Sequence, residues 1–218
     1  MEKQVRLMYK DIDHQEEIEK FGFYYDNMGV LKSLTDPTLK YKADTQEEYE
    51  EFAIAVRNFI QIKVMEQKLG MIKSSGISEK DYIYYTNDFF TNEYGCLVMI
   101  QGSGPVRPGI WARQCCINES LDIGAMIRFV EKAKELKMSS LILNPNETSK
   151  PASVWEKLFD CETIKMPGKD QSVPESSKII DNKISIAKCP AKRIFIIAHS
   201  AGGWACTKIC KKFCNSLI

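Results

Sequence analysis

A serine that could act as a nucleophile stands at Ser200, just after an apolar run. The run Ile194–Ala198 predicts a buried strand, and a helix is predicted from Ala201 on the other side of the serine. A strand that turns sharply into a helix needs small neighbours two residues before and after the serine, and Ala198 and Gly202 meet that need. The spacing therefore indicates a nucleophile for acyl transfer, carried on a strand-to-helix turn.

A glycine-rich turn earlier in the chain could complement this serine. Gly102, Ser103 and Gly104 directly follow the apolar segment Cys96–Ile100, and glycines let the backbone approach a ligand closely. We expect one donor to an oxyanion to be the Ala201 N–H, at the start of the following helix. The N–H groups of the glycine turn would supply the second donor. The alternative is that these glycines serve only the packing of a helix against a strand.

No histidine is evident that could take the proton of the serine hydroxyl. Of the two histidines, His14 lies in a polar segment, and His199, as the neighbour of Ser200, is expected to point away from it. The sequence ends at Ile218, whereas a hydrolase of this order has its acid and its histidine after the serine. We therefore expect C-terminal strands to be missing, and the question of enzyme or non-enzyme stays open.

Strand and helix patterns alternate along the chain around this serine. Such alternation predicts right-handed crossovers and a parallel sheet covered on both faces. We predict a three-layer α/β-hydrolase-like sandwich with a mostly parallel sheet, in which the Ile194–Ala198 strand becomes an edge. The expected elements are a strand–turn–strand at residues 21–31, strands at 82–85, 96–100, 140–143 and 194–198, and helices at 45–70, 123–136 and 201–213.

Length and composition indicate one soluble globular domain. The 218 residues are 44% hydrophobic and 27% charged, with a net charge of +1, which gives no argument for direct nucleic-acid binding. A polar segment at residues 1–20 precedes a single, incomplete domain at residues 21–218, with a surface insertion at about 147–178. The sequence shows neither a secretion signal nor a membrane-spanning run, so we expect a protein that is not secreted.

The eight cysteines are expected to be reduced thiols. Cys206, Cys210 and Cys214 recur every four residues, which places them on one helix face. Zinc sites usually pair cysteines across a tight loop, so this stripe favours a core position over a metal site. Cys115 and Cys116 are expected to fill the interior. We predict no metal and no other cofactor.

Four stretches of the sequence carry longer motifs. They are Leu97–Arg113, which contains Gly102, Ser103, Gly104, Arg107, Trp111 and Arg113, then Ile117–Asp122, Leu143–Glu147 and Phe195–Gly203. The residues that flank the glycine turn, Arg107, Trp111 and Arg113, are expected to anchor the structure, with ligand contact as the alternative. Together the four stretches resemble the argonaute-binding Arb-two domain family, in its cotranscriptional regulator branch, and the resemblance spans roughly residues 20–210.

The resemblance implies an α/β-hydrolase-like fold with Ser200 at the nucleophile position. It also implies argonaute, chromatin or splicing proteins as partners, in small-RNA silencing, heterochromatin or cotranscriptional splicing regulation, in the nucleus or the cytoplasm. We predict a hydrolase-like interaction protein that is not catalytic as this chain. The alternative is a serine hydrolase of esterase, thioesterase or amidase type, with its histidine and acid from missing sequence or a partner. A truncated product without a stable fold is a third interpretation.

Overall fold

A computed structural model of the chain describes residues 15–75, 82–146 and 189–213. The chain divides into two compact units. The first unit comprises Met1–Gly70 and Gly109–Phe129, and the second comprises Met71–Pro108 and Val130–Ile218. The predicted insertion at residues 147–178 lies outside the described residues. In the described ranges, no helix has the length and apolar character needed to cross a bilayer.

The first unit opens with a short helix and a hairpin. Helix α1 (Glu16–Glu19) is followed by β1 (Phe23–Tyr25) and β2 (Leu31–Ser33), which pair antiparallel. The turn between the strands is closed by Asp26, whose carboxylate accepts the Val30 N–H at 3.0 Å. An Asp side chain commonly stabilises a turn in this way. The predicted strand–turn–strand is therefore confirmed.

The longest helical segment of the first unit begins where the sequence predicts. Helix α2 (Gln46–Asn58) is capped by Thr45, whose hydroxyl accepts the Glu48 N–H at 3.1 Å. The backbone then continues as a π-helix over Phe59–Lys68 and ends before Gly70, where φ is +67°. A left-handed residue commonly ends a helix, and glycine adopts it at little cost. The extent of the predicted helix is confirmed, while its second half is wound more loosely than an α-helix.

Buried aromatic rings hold the first unit together. Tyr41 stacks on the fully buried Phe52 with ring centroids 3.8 Å apart, and Tyr25 stacks on Phe59 at 5.3 Å. The Tyr25 hydroxyl donates to the Cys116 carbonyl oxygen at 3.1 Å, so this buried polar group is satisfied. Two further short helices complete the unit. They are α3 (Arg113–Asn118) and α4 (Leu121–Gly124).

The second unit is built on a five-stranded sheet with the strand order β3-β4-β6-β5-β7. β5 runs parallel to both β6 and β7, whereas β4 runs antiparallel to both β3 and β6. The strands are β3 (Ile72–Ser75), β4 (Tyr82–Tyr85), β5 (Cys96–Ile100), β6 (Ser139–Ile142) and β7 (Ile194–Ala198). The helices that precede β6 and follow β7 are α5 (Ile127–Glu135) and α6 (Ala201–Phe213).

The predicted α/β class is confirmed. The sheet is mixed, but among the described strands only β4 is reversed and the other four share one direction, as expected of a mostly parallel sheet. Only a short stretch of sequence separates β3 from β4, too little for the crossover that a parallel pair requires. The antiparallel direction of β4 follows from that short connection. The finer expectation of a three-layer hydrolase-like sandwich stays a prediction.

The middle and the end of this sheet differ in burial. Every residue of β5 is buried, as its uninterrupted apolar sequence predicts. β7 stands last in the order of the described strands, and Phe195 at its centre is 48% exposed. Within the described residues, the expectation of an edge strand is therefore confirmed. Ser200 lies in the turn that follows this edge strand.

Candidate functional site at the ends of β5 and β7

Ser200 lies on a tight turn between β7 and α6. Its backbone φ is +53°, which lies in the left-handed region. Residues other than glycine adopt this region only at a cost of about 1–2 kcal/mol. Strand β7 ends at Ala198 and helix α6 begins at Ala201, so the turn consists only of His199 and Ser200. The predicted strand-to-helix turn is confirmed. The role of Ser200 as a nucleophile stays a prediction.

Gly202 lets α6 lie directly on the end of β5. A Cβ atom at this position would lie 2.6 Å from the carbonyl oxygen of Ile100 and 2.8 Å from that of Gln101. Both distances are shorter than a carbon and an oxygen tolerate, and both oxygens belong to a buried backbone that cannot move away. Only glycine fits here. At the next position, Gly203, a Cβ would meet no atom within 4 Å.

Gly102 of the glycine turn is packed against the Ser200 turn. A Cβ on Gly102 would lie 3.0 Å from the Ser200 Cβ and 3.4 Å from the Nδ1 of His199. The serine, its neighbouring imidazole and the glycine turn therefore meet at one place. Parallel strands β5 and β7 end at the same edge of the sheet, which brings the residues that follow them together.

Asn146 fixes the backbone of the glycine turn from a third segment. Its Nδ2 donates to the carbonyl oxygens of Gly102 at 2.7 Å and of Val106 at 3.1 Å. Arg107 donates to the carbonyl oxygens of Val106 at 3.0 Å and Gly104 at 3.5 Å. The role of Asn146 is not predicted by the sequence analysis. Its position shortly after β6, the other parallel neighbour of β5, is the signal that could have identified it.

The other residues of the turn differ in exposure and conformation. Ser103 and Gly104 are exposed, and Gly104 has φ of +107°. Gln101, in contrast, is fully buried at the end of β5. Within the residues that the structure describes, neither atom of its side-chain amide has a hydrogen-bond partner. Ser103 and Gly104 are therefore the exposed part of the turn, next to the buried Gly102.

Two residues of the sequence motif, Trp111 and Arg113, belong to the first unit instead. The Trp111 ring meets Phe129 edge to face at 5.7 Å. The Arg113 guanidinium binds both carboxylate oxygens of Glu50, at 2.6 and 3.0 Å, and lies over the Tyr49 ring. Hydrogen bonding to Glu50 raises the pKa of Arg113. These contacts support the expectation that both residues anchor the structure.

The cysteines of α6 are arranged differently from the prediction. Cys206 is half-buried, and burial raises the pKa of its thiol. Cys210 is exposed, so the expectation that the stripe lines a core was wrong at this position. Cys214 and His14 lie outside the described residues. Among the side chains that are described, no cluster of His, Cys, Asp and Glu could hold a metal ion.

A second pair of cysteines lies in the core of the second unit. Cys96 begins β5, Cys189 precedes β7, and both belong to one hydrophobic cluster. The Cys189 thiol donates to the Phe89 carbonyl oxygen at 3.8 Å. Interaction with the Cys189 thiol and burial raise the pKa of the Cys96 thiol, whereas interaction with Cys96 lowers the pKa of Cys189. The sequence analysis does not identify this pair, because the two residues are far apart in the chain and carry no motif.

Comparisons with known proteins agree with the sequence motifs. The "Cotranscriptional regulator ARB2A homolog" of Dictyostelium discoideum is 30% identical over 209 residues, which cover 85% of this chain and 54% of that protein. The "FAM172 family protein homolog" of Caenorhabditis elegans is also 30% identical, over 90% of this chain and 60% of its own length. Human "Cotranscriptional regulator ARB2A" is 26% identical over 254 residues, or 91% of this chain and 61% of the human protein.

The chain spans little more than half the length of these relatives. No solved structure matches it. The Arb2 domain matches residues 14–215, which is nearly the whole sequence and includes both the glycine turn and the Ser200 turn. The chain therefore belongs to the Arb2 domain family.

Proposed function

We propose that this chain is a hydrolase-like interaction protein of cotranscriptional regulation, which acts by presenting a surface rather than by turnover. Two of these relatives are named cotranscriptional regulators, and the part of this chain that matches the Arb2 domain includes the Ser200 turn. The left-handed φ of Ser200 supports the hydrolase-like part of the proposal. Within the described residues, however, the only imidazole beside the serine is that of His199, which is the preceding residue in the chain.

Two exposed aromatic side chains beside the Ser200 turn carry this proposal. Phe195 on β7 is 48% exposed and Trp204 on α6 is 59% exposed. Large aromatic residues dominate the free energy of many protein interfaces, because they bury a large apolar area when a partner covers them. An edge strand also offers unpaired backbone groups to a partner. The strand and the helix that hold Ser200 therefore each carry an exposed aromatic side chain that a protein partner could cover.

The family resemblance suggests which proteins bind there. We propose an argonaute protein or a component of the chromatin and splicing machinery, bound in the nucleus. The net charge of +1 supports a protein partner over direct binding of nucleic acid, which requires a basic surface. The partner would bring the chain to transcripts that are still being made.

A capture experiment from nuclear extract tests this proposal. Wild-type chain should retain an argonaute or a splicing protein, detected by name in the eluate, and Trp204→Ala should lose most of it. Leu136→Ala is the matched control, because Leu136 is 49% exposed and lies outside this surface. Failure of the wild-type chain to retain any of these proteins would contradict the proposal, as would equal retention by Trp204→Ala.

A serine hydrolase is the second candidate function, favoured by the left-handed φ of Ser200. In this mechanism the Ser200 oxygen attacks an ester, thioester or amide carbonyl. The N–H groups of Ala201 and of the turn at Gly102 would stabilise the oxyanion, as preorganised donors do in acyl transfer. A histidine and an acid from outside the described residues would have to complete the site.

A fluorophosphonate probe distinguishes the two functions. The probe reacts with an activated serine, so labelling that disappears in Ser200→Ala would establish the hydrolase. An unlabelled chain that unfolds cooperatively would rule out the hydrolase for this chain. The cooperative transition also excludes the third interpretation, a product without a stable fold.

A further inference from the structure

We propose that two copies of this chain pair through the outer edge of β7, which joins their five-stranded sheets into one. β7 stands last in the strand order, and among the described strands none pairs with its outer side. The strand reads Ile-Phe-Ile-Ile-Ala, and none of these five apolar residues is fully buried. This inference goes beyond the proposed function, because the molecule that covers the edge is the chain itself.

The hydrogen bonds at the two ends of β7 show which of its residues face outward. The Cys96 N–H donates to the Arg193 carbonyl oxygen at 2.9 Å, and the His199 N–H donates to the Ile100 carbonyl oxygen at 3.0 Å. Successive residues of a strand direct their backbone groups to opposite sides, so the odd-numbered residues of β7 bond to β5. The N–H and C=O groups of the even-numbered residues therefore point to the open edge. These residues are Ile194, Ile196 and Ala198.

These outward groups fit a second copy of the same strand. In an antiparallel pair centred on Ile196, the Ile196 N–H of each copy donates to the Ile196 carbonyl oxygen of the other. Ile194 then stands opposite Ala198 of the second copy, and the two exchange further backbone bonds at each end of the contact. A two-fold axis relates the copies, so the contact is self-complementary and is complete with two chains.

The charges around β7 favour this antiparallel arrangement. The strand itself carries none of the charged or proline residues with which edge strands commonly avoid pairing with another chain. Lys192 and Arg193 lie immediately before it, so antiparallel copies hold the two Arg193 side chains at opposite ends of the contact, about 20 Å apart. A parallel pair would set the same charges side by side, where like charges destabilise a sheet. The occupant that fits the edge is therefore an antiparallel second copy.

The side chains of β7 divide between the two tasks of folding and pairing. Those of the even-numbered residues pack against the core of their own copy, so these residues give the contact mainly their backbone groups. Phe195, which is 48% exposed, stands opposite Ile197 of the second copy. Cross-strand pairs of an aromatic and a β-branched residue stabilise a sheet. The second copy and the partner protein of the proposed function would therefore compete for Phe195.

The molar mass in solution tests the proposal. Light scattering on the whole 218-residue chain, kept reduced so that the exposed Cys210 cannot cross-link, should give twice the mass of one chain. A dilution series in the same assay gives the dissociation constant of the dimer. Ile196→Pro removes the outward N–H and leaves the bonds to β5, so it should raise this constant about tenfold or more. Ile196→Val is the matched control, because it keeps that N–H, and it should leave the constant unchanged.

Amide hydrogen exchange of the wild-type chain decides the proposal even where Ile196→Pro does not fold. The N–H groups of Ile194, Ile196 and Ala198 should exchange about tenfold more slowly in the dimer than in the diluted chain, whereas Phe195 and Ile197 should be equally protected in both. A chain that is monomeric at every concentration would overturn the proposal and leave the edge to another protein. Assemblies larger than two, a dimer that Ile196→Pro does not weaken, or a dimer whose even-numbered amides gain no protection would overturn it as well, since the contact would then lie elsewhere.

Discussion

The substitution Gly202→Ala tests the close packing of α6 on β5. The new methyl group would lie 2.6 Å from the Ile100 carbonyl oxygen and 2.8 Å from the Gln101 carbonyl oxygen. Overpacking of this kind costs about 1–3 kcal/mol, because the helix must shift away from a buried strand. Alanine also favours the helical conformation over glycine by up to about 1 kcal/mol, which opposes part of that cost.

Gly203→Ala separates these two contributions. It adds the same methyl group one residue later in the same helix, where no atom lies within 4 Å. Both variants gain the same helical preference, so their difference isolates the steric cost. We expect Gly202→Ala to unfold at lower urea concentration than Gly203→Ala, with free energies of unfolding about 1–3 kcal/mol apart. Equal stabilities would refute the packing of α6 against β5 described above.

Three further predictions concern single side chains. Ser200→Gly should be more stable than Ser200→Ala by about 1 kcal/mol in urea unfolding, because glycine relieves the left-handed strain; equal values would count against that strain. Asn146→Ala should speed amide hydrogen exchange at Gly102 about tenfold, because it removes the side-chain hydrogen bond to the turn; an unchanged rate would mean that the turn stays ordered without this hydrogen bond. Arg113→Lys should lower thermal stability by about 0.5–1 kcal/mol, because lysine cannot bind both oxygens of the partly exposed Glu50; no change would show that the paired geometry contributes nothing.

Local sequence signals predict the parts of the fold that depend on neighbours in the chain. The apolar run of β5 predicts a strand buried on both faces, and the Thr45 cap predicts the start of α2. The small residues around Ser200 predict its strand-to-helix turn. In each case the physical cause lies within a few residues of the feature, so the sequence alone is sufficient to predict it.

Features that depend on distant contacts could not be predicted in this way. The place of β4 beside β6 depends on a pairing between segments that are remote in sequence, and apolar periodicity is the same for parallel and antiparallel neighbours. The buried residues of the π-helix after Asn58 recur at nearly the spacing of an α-helix, so the sequence pattern does not distinguish the two kinds of helix. The bonds from Asn146 to the glycine turn and from the Cys189 thiol to the Phe89 carbonyl oxygen join segments that are remote in sequence and carry no spacing signal.

Capture of the partner by Ser200→Ala is the most direct test of the claim that the chain acts as a surface. The substitution removes the hydroxyl and leaves the exposed Trp204 and Phe195 in place. Our account predicts that a folded Ser200→Ala chain retains the same argonaute or splicing protein, in the same amount, as the wild type. Loss of that protein by a folded Ser200→Ala chain would contradict the account, because the hydroxyl itself would then be required.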